Sequence, residues 1–159
     1  MTATLELQGV TVRRDNRLIL KRIDWTVAPD ERWIVLGPNG SGKTTLCQVA
    51  SMYQHPTSGT VRVLGETFGR TDVRQLRKRI GYMSVQLTGM LRPGLTATDV
   101  VVTAKHAAFA TCWHVYSQDD YAKARRLLSR FNCEDLADRR FITLASGEQK
   151  KVEVARALM

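Results

Sequence analysis

The sequence predicts an α/β fold in which an antiparallel β subdomain comes first and a helical subdomain follows. Three observations lead there. Before about residue 90, short runs alternate apolar and polar side chains. Beyond it, apolar residues recur at helical spacing behind repeated helix-start signatures. Between the first strands and the first helix stands Gly37-Pro-Asn-Gly-Ser-Gly-Lys-Thr44, which meets G-x-x-x-x-G-K-[ST] at every fixed position. At 159 residues, with 43% hydrophobic and 25% charged residues, the chain has the composition of one globular domain with a real core.

Each element follows from its local pattern. Thr4 to Val12 alternates as a strand with one wet face should, Asp15-Asn16 makes a turn, and Leu18 to Val27 alternates again, so an antiparallel pair is predicted. Pro29-Asp30 breaks the chain. Arg32-Trp-Ile-Val-Leu36 then reads as a buried strand feeding the glycine-rich run, and Thr45 to Ala50 as the helix leaving it. Pro56-Thr-Ser-Gly59 ends that helix before a strand over Thr60 to Leu64. Asp72 is placed to cap a basic amphipathic helix over Val73 to Arg79, and Ile80-Gly-Tyr-Met83 returns as a strand. Thr96-Ala-Thr-Asp99 is a helix start ahead of Val100 to Phe109. Ser117-Gln-Asp-Asp120 repeats the signature before Tyr121, Ala124, Leu128 and Phe131, which share one helical face. A third helix begins near Gly147 and carries Val152, Ala155 and Leu158.

The glycine-rich run has a chemical reading. Its glycines let the backbone curl until several N–H groups converge on phosphate oxygens, Lys43 reaches the β- and γ-phosphates, and the Thr44 hydroxyl is a ligand for Mg²⁺. A strand before it and a helix after it are the context this chemistry needs, and together they predict a P-loop NTPase core.

Charge and cysteines narrow the partners. The net charge of +9 concentrates at Arg13, Arg14, Arg17, Lys21 and Arg22, and again at Arg70, Arg74, Arg77, Lys78 and Arg79. No aromatic-interleaved strand platform accompanies it, so a solvated face is expected rather than a nucleic-acid surface. The apolar stretch Val100-Val-Val-Thr-Ala104 is too short to cross a bilayer, and no N-terminal signal pattern stands at the start. Cys47, Cys112 and Cys133 lack paired metal spacing and read as reduced thiols of a cytosolic protein, mostly core fillers.

The chain as a whole resembles the nucleotide-binding domain of ATP-binding cassette (ABC) transporters. The resemblance rests on Leu36-Gly-Pro-Asn-Gly-Ser-Gly-Lys-Thr-Thr-Leu46, His55-Pro-Thr-Ser-Gly-Thr60, Ile80-Gly-Tyr82, and Leu144-Ala-Ser-Gly-Glu-Gln149 followed by Val154-Ala-Arg-Ala-Leu158. A phosphate loop alone fits many ATPases, whereas the second segment is nearly private to this family. Asp72-Val-Arg74, Ile80-Gly-Tyr-Met-Ser84 and Ala137-Asp-Arg139 are closest in flavour to bacterial iron-complex or molybdate ATP-binding proteins.

The resemblance implies ATP and Mg²⁺ as cofactors, bound by Gly37, Pro38, Asn39, Gly40, Ser41, Gly42, Lys43, Thr44 and Thr45. It implies a head-to-tail dimer in which Ser146, Gly147 and Glu148 cover the partner's ATP, with helix N–H groups facing the γ-phosphate. It also implies an integral membrane transporter subunit as partner, and a peripheral place on the cytoplasmic face of the membrane. The divisions expected are 1–89 for the β subdomain and phosphate-loop core, 90–146 for the helical subdomain and 147–159 for the signature helix. The alternatives are a soluble ABC ATPase acting on ribosome or nucleic acid, and a non-catalytic nucleotide-binding fragment.

Four departures from the family pattern stand out. Ala145 occupies the place of the signature serine. Val85 occupies the place of the glutamine that senses Mg²⁺ and water, and Gln86 follows one residue later. A one-residue slip in a strand turns a side chain to the opposite face, so Gln86 is either a metal ligand on a bulged loop or an ordinary polar residue. Arg14 stands where an aromatic stacks on adenine; its guanidinium either stacks in its place or is solvated beside Arg13. Last, the sequence ends at Met159, so it is expected to be truncated before the Walker B strand and its aspartate and glutamate, and inactive as an ATPase alone.

Overall fold

The computed structural model describes residues 3–159, in two compact units, one ending at Leu76 and the other running from Arg77 to Met159. The first unit is built on the predicted hairpin. β1 (Leu5–Arg14) pairs antiparallel with β2 (Arg17–Val27) on one side and with β3 (Ser58–Val63) on the other. The short β4 (Glu66–Thr67) completes the order β2-β1-β3-β4. The link between β1 and β2 is the two-residue turn Asp15-Asn16, both residues in left-handed backbone (φ 47° and 60°). That conformation matches the twist of a tight hairpin, and Asp and Asn tolerate it. Alternation buries Leu5, Leu7, Val10 and Val12 of β1 against Leu20, Val61, Val63, and Val49 of α1 (Lys43–Ala50). Gly59 must be glycine: a Cβ there would lie 2.6 Å from the carbonyl oxygens of Gln8 and Gly9.

One expected strand is missing. Residues 31–38 form no ladder, and Trp33, Ile34 and Leu36 are exposed at 55%, 83% and 86%. The run has the composition of a buried strand, but a strand exists only when a second backbone accepts its hydrogen bonds. Among the described residues none does. Trp33 covers one side of the run by standing edge-on to Trp25, ring centroids 5.8 Å apart, and donating from Nε1 to Glu31. Downstream, Ile80 to Met83 is likewise irregular rather than a strand, for the same reason.

The helix after Asp72 forms as α2 (Val73–Arg77), two residues shorter than expected, with the Asp72 carboxylate accepting from the Arg74 N–H. In the second unit a four-residue helix, α3 (Val85–Thr88), precedes three packed helices. α4 (Ala97–Val102) and α5 (Gln118–Ser129) start at the predicted capping boxes, Thr96 with Asp99 and Ser117 with Asp120. α4 gives way to a 3-10 turn over Thr103–His106, so the helix expected through Phe109 stops early. α6 (Ser146–Ala157) is the third. Their shared core holds Val100, Val101, Val102, Ala124, Leu128, Val152 and Ala155, with Leu136, Phe141 and Leu144 closing one side. Leu158, expected on that face, is 52% exposed because the helix ends one residue before it. α6 also buries two charges. Glu153 accepts from Thr88 Oγ1 (2.5 Å) and Lys150, while Arg156 donates to the Ala108 carbonyl and lies over the Phe109 ring. Of the cysteines only Cys133 is a core filler; Cys47 and Cys112 are exposed, which corrects the expectation for two of three.

The second unit carries its own acid sensitivity. The His106 and His114 rings stack 4.4 Å apart, with Tyr116 edge-on to both. Burial, and then the neighbouring His114, hold the His106 imidazole below its ordinary 6.5. The Asp120 carboxyl is held down to about 2 by its hydrogen bond from Lys105 and then by the Ser117 backbone. Both folded values lie below the unfolded ones, so protonation favours unfolding. The His106 contribution is present above 6.5 and lost as pH falls below it; that of Asp120 is present above 3.8 and lost toward 2. Thermal midpoints measured by circular dichroism should fall in two steps over these windows, and His106→Asn should remove the first. A midpoint that does not change between about pH 7.5 and 5 would contradict this.

Candidate functional site

The glycine-rich run is held between β2 and α1. Gly40 and Gly42 sit in left-handed backbone (φ 82° and 89°), and Gly42 is the residue from which α1 starts. At Gly42 the need is double, because a Cβ would also press to 2.9 Å from Leu20 and 3.0 Å from the Ile19 carbonyl. The close approach brings β2 directly against the start of the helix. Lys43 folds back over the loop, its Nζ donating to the carbonyls of Gly37 (2.7 Å) and Pro38 (2.8 Å). The ammonium is thus inside the curl that the backbone makes, and Leu46 N–H bonding Gly42 O begins the helical ladder.

A depression of about 380 Å³ opens over this loop. Asn39, Gly40, Gly42, Lys43, Thr44 and Thr45 line it from the run itself, and Arg17 and Ile19 line it from β2. Electrostatically it is an anion site: it combines a lysine, an arginine and the positive end of α1, without a carboxylate among its lining residues. A triphosphate with its divalent cation fits that donor set. The Lys43 ammonium is placed where it could neutralise phosphate charge, and the Thr44 hydroxyl is a hard oxygen of the kind Mg²⁺ takes.

Ile19 reaches the pocket through an irregularity in the ladder. β1 and β2 pair as Arg14↔Arg17 and Arg13↔Leu18, and then resume at Val12↔Leu20, leaving Ile19 as the extra residue of a bulge. Such a bulge re-aims a side chain, here onto the loop. Neither Arg17 nor Ile19 was singled out as a site residue from sequence. The turn at Asp15-Asn16, which sets Arg14 opposite Arg17, was the available signal.

Other sequence-predicted residues are placed differently. Arg14 is exposed and absent from the pocket lining; its Nη2 donates over a long 3.4 Å to Gln54 Oε1, beyond the other end of α1. Gln86 lies on α3 in the second unit, not on a strand, so the strand-face argument does not apply to it. Ser146, Gly147 and Glu148 open α6, also in the second unit. Ala145 is the residue before the helix, and with no hydroxyl it supplies only half a cap. Glu148 Oε2 accepts from its N–H at 2.8 Å. Gln149 Nε2 donates to the Phe141 carbonyl and ties the preceding 3-10 turn, Phe141–Thr143, to the helix start. Ser146 and Gly147 are exposed, and a Cβ at Gly147 would meet nothing within 4 Å. No contact among the described residues requires that glycine. No group of three metal-ligating side chains occurs among the described residues, and no helix among them is long and apolar enough to cross a membrane.

The chain is similar in sequence and in fold to known proteins. The family model described as ABC transporter matches residues 20–159. The uncharacterized ABC transporter ATP-binding protein YlmA of Bacillus subtilis (strain 168) is 37% identical over 98% of this chain and 59% of its own length. The phosphonates import ATP-binding protein PhnC of Thiobacillus denitrificans is 32% identical over 98% of this chain and 61% of its own. Among solved structures, the ATP-binding cassette MJ0796, as a dimer in a post-hydrolysis state bound to ADP and Pi, superposes with a TM-score of 0.81 at 25% identity, over 97% of this chain and 68% of that one. The chain spans about three fifths of the length of the curated relatives it matches.

Proposed function

The chain belongs to the ABC transporter family, and from that premise we propose that it is the ATP-binding part of a transporter's motor subunit. The observation that carries this reading is the curled loop at Gly37–Thr44, with Lys43 inside it and α1 starting from it. Gly37 to Thr45 hold the phosphates through backbone N–H groups, Lys43 neutralises their charge, and Thr44 holds Mg²⁺. Phosphoryl transfer on such a site is positioning and charge stabilisation more than covalent chemistry. The chain's own residues therefore supply the anchored end of the reaction. Ser146, Gly147 and Glu148 are the cover for a second copy's nucleotide: the exposed start of α6 presents N–H groups and a glycine that no contact among the described residues requires. The membrane-embedded partner is met by the second unit, and the place of action is the cytoplasmic face of the membrane.

Turning over ATP requires a carboxylate that polarises water, which the family pattern places after Leu158. We expect the 159 residues alone to bind Mg·ATP without steady hydrolysis. Equilibrium titration with Mg·ATP and a phosphate-release assay test both halves of this. Binding with no release above background is expected. Turnover by the 159-residue chain that Lys43→Ala abolishes would overturn the second half, and absence of binding the first.

A further inference from the structure

Residues 110–116 of the second unit are held at both ends and by little in between. At one end the Phe109 carbonyl accepts from the Arg92 N–H, and its ring lies under Arg156. At the other, Ser117 is locked in its capping box with Asp120. Between them the backbone makes one hydrogen bond among the described residues, from the His114 N–H to the Thr111 carbonyl at a long 3.5 Å. Ala110 is buried, whereas Trp113 and Val115 are exposed. The remaining hold is a cluster of rings. His114 stacks on His106 at 4.4 Å with 14° between the planes, and Tyr116 stands edge-on to both and to Tyr121 of α5. His106 ends the 3-10 turn behind α4, so the stack fastens the segment to the helices. We propose that the His106–His114 stack is a pH-sensitive latch, which closes residues 110–116 onto the second unit while His106 is neutral and releases them when it takes up a proton.

The chemistry of the pair gives the latch its sign. His106 Nε2 is buried and has no hydrogen-bond partner among the described residues. A neutral imidazole can present a bare lone pair there, whereas an imidazolium carries a donor on each nitrogen. Protonation of the closed form therefore buries an N–H that no acceptor meets and sets a cation against the second imidazole. The surroundings act the same way. Lys78 and Lys105 oppose the charge, and the Asp120 carboxylate, which favours it, is already engaged by Lys105 (2.6 Å) and the Ser117 N–H. Of the other groups facing the cluster, Cys112 and Arg156 bring no carboxylate, and Asp99, which faces Tyr121, closes the α4 capping box. Burial, and then His114, hold His106 below its ordinary 6.5 in the closed form, and a released ring returns to that value. The closed form thus binds fewer protons, is favoured above 6.5 and loses ground as pH falls below it. Release is local, because among residues 110–116 only Tyr116 packs against the shared core of α4, α5 and α6.

The test is the fluorescence anisotropy decay of a dye on Cys112, measured in dilute solution on the full chain carrying Cys47→Ser. That substitution leaves Cys112 as the exposed thiol, since Cys133 is buried. Between about pH 7.5 and 5.5 the ratio of freely moving to held label should rise several-fold, and at most about tenfold, the linkage limit for one proton one unit below 6.5. Far-UV circular dichroism should stay unchanged over the same range. His106→Phe keeps a ring in the stack and loses the proton, so the label should stay held at both pH values. His114→Ala, at an exposed position, removes the second ring, so the label should move freely at both. A pH-independent signal in the Cys47→Ser chain, a rise that accompanies loss of helical signal, the same rise in His106→Phe, or a held label in His114→Ala overturns the latch.

Discussion

Lys43→Ala will weaken Mg·ATP binding by roughly 10- to 100-fold, the loss expected when hydrogen bonds of about 1.5–3 kcal/mol to a charged group are removed. The geometry explains why one side chain has so large an effect. The Lys43 ammonium already occupies the inside of the loop, bonded to the Gly37 and Pro38 carbonyls at 2.7 and 2.8 Å. It therefore needs only a short swing to exchange those carbonyls for phosphate oxygens. Alanine leaves the loop N–H groups and the positive end of α1 in place, so binding is weakened rather than abolished, and tripolyphosphate should lose as much as ATP. Ligand-induced stabilisation offers a second readout. A hundredfold excess over Kd stabilises a binder by about 2.7 kcal/mol, so Mg·ATP at that concentration should raise the wild-type melting temperature, and should stabilise Lys43→Ala by only about 0.4–1.4 kcal/mol. An unchanged affinity in the variant would refute the role of the loop.

The second large effect concerns the run before the loop. Expressed as 159 residues, the chain will self-associate at about 10–100 µM, a range in which exposed apolar surface and unpaired strand edges drive aggregation. Ile34 and Leu36 stand two residues apart, 83% and 86% exposed, on an irregular segment whose backbone has no ladder partner among the described residues. Fully burying each such side chain is worth about 1.5–3 kcal/mol, so leaving both in water makes any second apolar edge an attractive partner. The double variant Ile34→Glu, Leu36→Glu should lower light scattering severalfold at equal concentration without altering the hairpin of β1 and β2. A wild-type chain that stays monomeric and melts sharply and reversibly would overturn this prediction.

Much of the site was legible because its signals are local. The backbone conformation at Gly40 and Gly42 and the turn chemistry of Asp15-Asn16 depend on a few adjacent residues, so does the reciprocal bonding of Thr96 with Asp99 and of Ser117 with Asp120, and the structure bears each of them out. The illegible parts are those that depend on a distant partner. Arg14 and Arg17 look alike in sequence. Only the bulge at Ile19 and the competing hydrogen bond to Gln54 place one at the pocket and leave the other outside its lining. The burial of Cys133, against the exposure of Cys47 and Cys112, depends likewise on which helix faces meet.

By itself, then, the sequence determined the phosphate loop, the family and the starts of the helices, since each is written in side chains within one or two turns of one another. The tertiary structure alone decided that residues 32–36 and 80–83 are not strands here, that α4 stops at Val102, and that Arg17 rather than Arg14 lines the site. The physical reason is common to these outcomes. An apolar pattern states what a segment prefers to bury, but a ladder, a helix end or a pocket wall forms only where another part of the chain supplies the opposing backbone or side chain.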